Sequence, residues 1–204
     1  MTRSGLFEGW RLLGLVSGLL VAMALAILAW DSGEDGIRLV IRITARTSLL
    51  LFLLAITASA LRRLWPNSWS CWQLRNRRYL GLGFAVSHGI HALAVIAFAR
   101  LDPAGFQEAT SIASYVLGGT AYVFITLMAA TSFDRTAAWI GPVAWRRLHT
   151  IGVIDIWATF MASNLRRVGH DWHYWIPVAL LLIAMTLRLV GGLSLRQAPA
   201  RSAP

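Results

Sequence analysis

The chain has 204 residues, of which 57% are hydrophobic and 14% charged, with a mean hydropathy of +0.60. A soluble domain carries roughly 25% charged residues, so these values exclude a disordered chain, a disulfide-stapled secreted domain and an ordinary cytosolic enzyme. The net charge of +10 is carried by nineteen arginines and no lysine; they lie between apolar blocks, which reads as a membrane-topology signal and not as a nucleic-acid footprint.

A membrane helix needs about 20 mostly apolar residues, and six stretches qualify. The composition therefore predicts an all-α polytopic protein, a single six-helix transmembrane domain over 1–204. The first span, 12–30, is followed by Asp31, Glu34 and Asp35. Its apolar run exceeds the ~7–15 residues of a signal-peptide core, so it is kept as a span. The second, 43–61, is approached by Arg38, Arg42 and Arg46, which recur every four residues and form one stripe. Two readings of the stripe stay open. It snorkels to the outer headgroups, or its deepest member, Arg46, binds an anionic group.

The next connector holds Arg62, Arg63, Arg75, Arg77 and Arg78 with no acid. It also holds the single cysteine, Cys71, which excludes an internal disulfide and any Cys-based metal cluster. The third span, 80–99, carries His88 and His91. His91 follows Arg77 by fourteen residues, close to four helical turns, so the two share a face; His88 lies one turn before His91. Gly81, Gly83 and Gly89 leave room for something flat beside this backbone. The alternative is a packing seam with hydrogen-bonded histidines.

The fourth span is 111–130, reached through Arg100, Asp102 and Glu108. The connector after it holds Asp134, Arg135, Arg146 and Arg147. The fifth, 149–165, is the shortest and most polar. It opens with His149, beside which Gly152 is expected to clear space. Neutral imidazole is a good axial ligand for heme iron; the competing reading is an interfacial histidine. Asp155, deep in this span, is either a structural acid or part of a proton path. His170 and His173 form an HxxH pair on the following connector, read as an interfacial loop because no further ligand cluster accompanies it. The sixth span is 175–190, and 197–204 is expected to be a disordered tail. Arginine excess marks the cytoplasmic side. Both termini are therefore expected there, in a plasma or bacterial inner membrane.

Three blocks carry a family likeness. They are Leu54-Ala55-Ile56-Thr57-Ala58-Ser59-Ala60-Leu61-Arg62-Arg63-Leu64, then Arg77-Arg78-Tyr79-Leu80-Gly81-Leu82 through His91, then Ala130-Thr131-Ser132 through Asp134 to Trp145-Arg146-Arg147-Leu148-His149. In this order and spacing the chain resembles the ferric reductase-like transmembrane domain family. Its closest branch is the bacterial heme-b membrane subunits of the periplasmic methionine sulfoxide reductase system.

The resemblance implies b-type heme between the third and fifth spans and electron transfer across the bilayer, the work of an oxidoreductase membrane subunit. It places His91 and His149 as axial ligands of heme iron and Arg77 and Arg78 as the basic pair at the cytoplasmic edge. It leaves His88 as a substitute ligand and Arg46 as a partner for a heme propionate. The donor it implies is a cytoplasmic flavoprotein, with flavin on that partner or at the cytoplasmic face, or else a membrane quinol; the acceptor is a periplasmic protein. The chain departs from the family in one respect. Ala162 and Ser163 stand where the second histidine of the fifth span belongs. His91 and His149 should also differ in depth by about 16 Å at the helical rise per residue. Fewer hemes than the family's full number are therefore expected, down to one. The rival readings are a heme-free relative serving as an assembly or interaction subunit, and a proton-coupled transporter built on Asp155.

Overall fold

The computed structural model describes residues 7–197, with side chains described through Leu193. The elements are α1 (Gly9–Trp30), α2 (Glu34–Leu64), α3 (Ser68–Leu101), α4 (Pro103–Ala109), α5 (Ile112–Ala130), α6 (Asp134–Val168) and α7 (Trp175–Gln197). A 3-10 turn at Trp172–Tyr174 leads into α7, and no strand occurs among the described residues. Five segments are long and apolar enough to cross a membrane: α1, α2, α3, α5 and Trp172–Leu193. The chain is therefore a multi-pass helical membrane protein, and the apolar side chains left exposed along these helices are its contact with lipid. The expected fifth span lies inside α6, which is too polar to join that group. The expected tail falls, beyond residue 197, outside the described residues.

Helices α2, α3 and α6 have 31, 34 and 35 residues. At the helical rise each measures about 45–52 Å, against a hydrocarbon core of about 30 Å. Their polar ends therefore continue past the apolar segments. The arginine-rich connector between the second and third spans is accordingly not a loop. A capping box, with Asn67 accepting from the Ser70 backbone N–H and Ser70 answering to the Asn67 backbone, starts α3 well before its apolar part. Cys71, Arg75, Arg77 and Arg78 thus ride on helix. In α6 the long element is kinked at Gly141, whose φ of 77° only glycine adopts without strain, and Pro142 follows with no N–H to donate.

Helix contacts run α2–α3, α3–α5, α5–α6, α6–α7 and α7–α2, which closes a five-helix ring; α1 packs outside against α3 and α2. The α2–α3 seam is polar. Thr44, Ser48 and Ser87 are 0% exposed, and buried hydroxyls must find partners. Ser48 Oγ donates to Ser87 Oγ at 2.9 Å, and Ser87 Oγ donates to Thr44 O at 3.2 Å. Deeper toward the arginine-rich end, Gln73 Nε2 donates to Leu54 O at 2.8 Å. Small hydroxyl side chains let the two backbones approach and satisfy one another across the seam.

Three ion pairs or hydrogen bonds bring helix ends together at one end of the ring. Arg75 meets Glu8 at 2.8 Å, Arg78 meets Asp134 at 3.0 Å, and Arg63 Nη1 donates to Gly191 O at 2.8 Å. At the other end Arg166 Nη1 donates to Ser111 Oγ and Ser114 Oγ, both at 2.9 Å.

Candidate functional site

Inside the ring, toward the arginine-rich end, lies a cavity of about 450 Å³, within the size range of small-molecule and cofactor sites. Phe52, Phe84, Ile125 and Ile156 form apolar walls; Arg77, Arg78 and His149 supply a polar edge. Of the three glycines expected to open α3, only Gly81 lines this space, where a Cβ would meet nothing within 4 Å. Gly83 is buried against Val16 of α1 and Leu51 of α2, and Gly89 is exposed.

His149 is stacked on Trp145 with ring centroids 4.1 Å apart. Thr131 Oγ1 spends its hydrogen on Leu127 O at 2.7 Å. The contact of 3.2 Å between Thr131 Oγ1 and His149 Nε2 is then an Nε2–H donating to the hydroxyl. Gly152 does not clear space beside this imidazole. A Cβ there would collide with Met128 and Phe124, so its role is the close packing of α6 on α5.

The other two candidate ligands lie away from the cavity, behind an aromatic cluster. Phe52, Phe84 and Phe160 have ring centroids 5.5, 5.6 and 6.3 Å apart. Beyond them His88 packs against Phe84, Tyr122 and Phe160 at 5.4, 5.0 and 6.0 Å, and stacks on His91 at 5.1 Å. His88 Nδ1 is buried and has no hydrogen-bond partner among the described residues. His91 turns toward α2. Its Nδ1 is 3.1 Å from Ile41 O and 3.1 Å from Thr44 Oγ1. A carbonyl can only accept, and Thr44 donates its own hydrogen to Val40 O at 2.6 Å. The Nδ1 of His91 therefore carries the proton, and its Nε2 lone pair is left uncommitted.

Arg46 is exposed on the opposite half of α2, near enough to Asp171 for its charge to act on that carboxylate. Arg38 pairs with Glu34 at 2.6 Å and lies over the Phe98 ring. The HxxH pair gathers no metal site: His173 bonds Asp171 at 2.6 Å. No group of three or more His, Cys, Asp or Glu side chains converges among the described residues. Asp155 keeps one buried oxygen, Oδ2, without a partner among the described residues.

One participant had not been singled out in the sequence. Thr44 was one hydroxyl among many, though its spacing from Ser48 on a helix facing Ser87 marks a polar seam.

Fold and site together define a helical membrane protein with a polar-edged internal cavity at one end and a buried histidine pair beyond it. No family model, curated protein or solved structure matches the chain.

Proposed function

We propose that this protein transfers electrons across a membrane through b-type heme, as a member of the ferric reductase-like class that its sequence resembles. The observation that carries the reading is the cavity edged by Arg77, Arg78 and His149. An apolar slot rimmed by Arg75, Arg77, Arg78 and one imidazole, with Asp134 as its one acid, suits a flat apolar macrocycle bearing carboxylates. Bound heme would supply one-electron redox chemistry. His149 would help to hold it, giving up its Nε2–H bond to Thr131 at a cost of about 1 kcal/mol. Arg77 and Arg78 would neutralise the carboxylates. On the far side of the aromatic cluster, His91 has the arrangement of a metal-ligating histidine: Nδ1–H anchored on a backbone carbonyl, Nε2 free. His88 is its neighbour and substitute, and Arg46 is a cation whose charge reaches the outer loop at Asp171.

In this reading α6 is the sixth span. Its start is tied to α3 through Arg78 and its last turn to the start of α5 through Arg166, so it runs the length of the ring. Six spans put both termini on one side. The arginine-rich end is then cytoplasmic, in a plasma or bacterial inner membrane. The exposed arginines there suit an acidic flavoprotein donor, with flavin on the partner or at this face; a membrane quinol is the alternative. The acceptor lies on the opposite side.

A second reading, a heme-free interaction or assembly subunit, is favoured by one observation. The α6 side chain packed on His88 is the Phe160 ring, which cannot ligate a metal, and Ala162 and Ser163 cannot either.

A visible spectrum of the purified protein separates the two. The heme reading expects a Soret band and dithionite-sensitive visible bands. His149→Ala and His91→Ala should each remove the share of signal belonging to its own level. Protein made with ample heme that shows no Soret band returns the second reading. Reporter insertions at 66–67 and at the C-terminus should both report the cytoplasm.

A further inference from the structure

A second basic site lies at the arginine-rich end, where α2, α3 and α7 meet. Three guanidinium groups converge there. Arg63, in the last turn of α2, donates to Gly191 O of α7 at 2.8 Å. Arg77 of α3 donates to Ser59 Oγ, one turn earlier on α2, at 3.1 Å. Arg188 lies on α7 one turn before Gly191, and Arg63 and Arg188 are the two cations whose charges act on Arg77. The helices can come this close because residue 191 is glycine: a Cβ there would lie 2.9 Å from Ala60 Cβ and 3.0 Å from Ala60 Cα.

No carboxylate answers these three charges among the described residues. Both acids of this end are engaged elsewhere, Glu8 with Arg75 and Asp134 with Arg78. Snorkelling does not account for the arrangement. An arginine seeking only water would extend away from its like neighbours, whereas Arg188 and Arg77 are half-buried and close enough to repel. Each guanidinium has five N–H donors, of which Arg63 and Arg77 spend one apiece within the protein. The unspent donors of neighbouring guanidinium groups are of the kind that bind a tetrahedral oxyanion at two or more oxygens.

We propose that Arg63, Arg77 and Arg188 form a binding site for a phosphate group in the α2–α3–α7 corner. The phosphate belongs to an anionic lipid of the adjoining leaflet or is free in solution. Arg77 is shared with the cavity edge, whereas Arg63 and Arg188 do not line the cavity, so their variants test this site apart from heme. Filling it offsets the mutual repulsion of the three arginines and holds the end of α7 against α2.

The test uses the full chain, purified in neutral detergent and stripped of lipid. Dioleoylphosphatidylglycerol, dioleoylphosphatidylcholine and inorganic phosphate are added separately, with binding read by native mass spectrometry and by Tm. Phosphatidylglycerol is expected to bind and raise Tm, and phosphatidylcholine is not. Arg188→Gln should weaken phosphatidylglycerol binding about tenfold, the loss expected for one charge-assisted contact. Arg63→Gln should act in the same direction and serves if the first variant does not fold. Arg135→Gln, on the exposed start of α6, should leave binding unchanged. A shift reproduced by inorganic phosphate, and lost in Arg188→Gln, names free phosphate as the source; a shift seen only with the lipid names the headgroup. Equal affinity in wild type, Arg188→Gln and Arg63→Gln, or binding of neither phosphatidylglycerol nor inorganic phosphate in preference to phosphatidylcholine, overturns the proposal.

Discussion

The inner cavity around His149 and the outer pair His88–His91 hold the same side chain in opposite states. At the inner level there is room, about 450 Å³ of it, but the imidazole Nε2 is committed to Thr131. At the outer level the Nε2 of His91 is uncommitted, because Nδ1–H is fixed on Ile41 O and Thr44 Oγ1. There the surrounding space is occupied by the rings of Phe84, Tyr122 and Phe160. Ligation through Nε2 thus has two requirements, a free Nε2 lone pair and a volume, and this fold holds them on opposite sides of an aromatic cluster. A histidine inventory alone could not have found that.

The comparison breaks most decisively at the cluster itself. Phe160→Ala removes a ring that touches Phe52, Phe84 and His88. Large-to-small changes of this type cost about 3 kcal/mol. Thermal unfolding should show a drop of several degrees, and the outer level should gain volume beside His88. A variant as stable as wild type would mean that the rings pack loosely and that the two levels are already continuous.

A middle-sized effect is expected at Thr44, which sharpens the contrast from the outer side. Thr44→Val keeps the shape, removes the hydroxyl from His91 Nδ1 and leaves Ile41 O as its one acceptor. A lost neutral hydrogen bond is worth about 1 kcal/mol. The imidazole should stay Nδ1-protonated but broaden in orientation, which nitrogen-15 chemical shifts of the ring would report. Conversion to the Nε2–H tautomer would show that the hydroxyl, and not the carbonyl, sets the proton.

The inner side gives the converse. Gly81→Ala adds a methyl where nothing lies within 4 Å. Ala exceeds Gly in helix propensity by about 1 kcal/mol, so the variant should unfold at an equal or higher temperature. Gly152→Ala, whose methyl would strike Met128 and Phe124, should unfold lower. Equal behaviour of the two would erase the distinction between an opening glycine and a packing glycine.

The legible and illegible parts of this fold follow the physics of each signal. Helices α1, α2, α3, α5 and α7 were readable because twenty apolar residues in a row have few other uses. The extension of α3 back to Ser68 was not, since hydropathy says nothing about helix outside the bilayer. Its signal was Asn67 followed three residues later by Ser70. The kink at Gly141-Pro142 was written in the dipeptide but passed over among arginines. Of the site, His88, His91 and His149 stood out as polar groups in apolar runs. Their partners did not, because Ile41 O is backbone and Thr44 and Thr131 are each one hydroxyl among many. Gly152 beside His149 in sequence suggested space, but a glycine serves whichever helix face its missing Cβ addresses, and here that face is α5.

The smallest effect concerns the turn that closes the outer end. Asp171 accepts from the His173 backbone N–H at 3.0 Å and from the His173 ring at 2.6 Å. The backbone bond first, and the ring bond next, hold its carboxyl below the usual carboxylate value, with the charges of His173 and Arg46 adding to the effect. A carboxyl whose pKa is lower folded than unfolded stabilises the turn in its ionised form. That contribution is complete above the ordinary Asp value of about 3.9 and fades as pH falls through the lower folded value. Hydrogen exchange at the His173 amide should therefore, after correction for intrinsic rates, quicken as pH falls below about 4, the ordinary Asp range. Asp171→Asn should flatten the acid limb while leaving the Arg78–Asp134 end untouched. Because Asp171 is exposed, salt screens the effect. An acid response that survives Asp171→Asn would assign it to another group and leave the outer closure to packing alone.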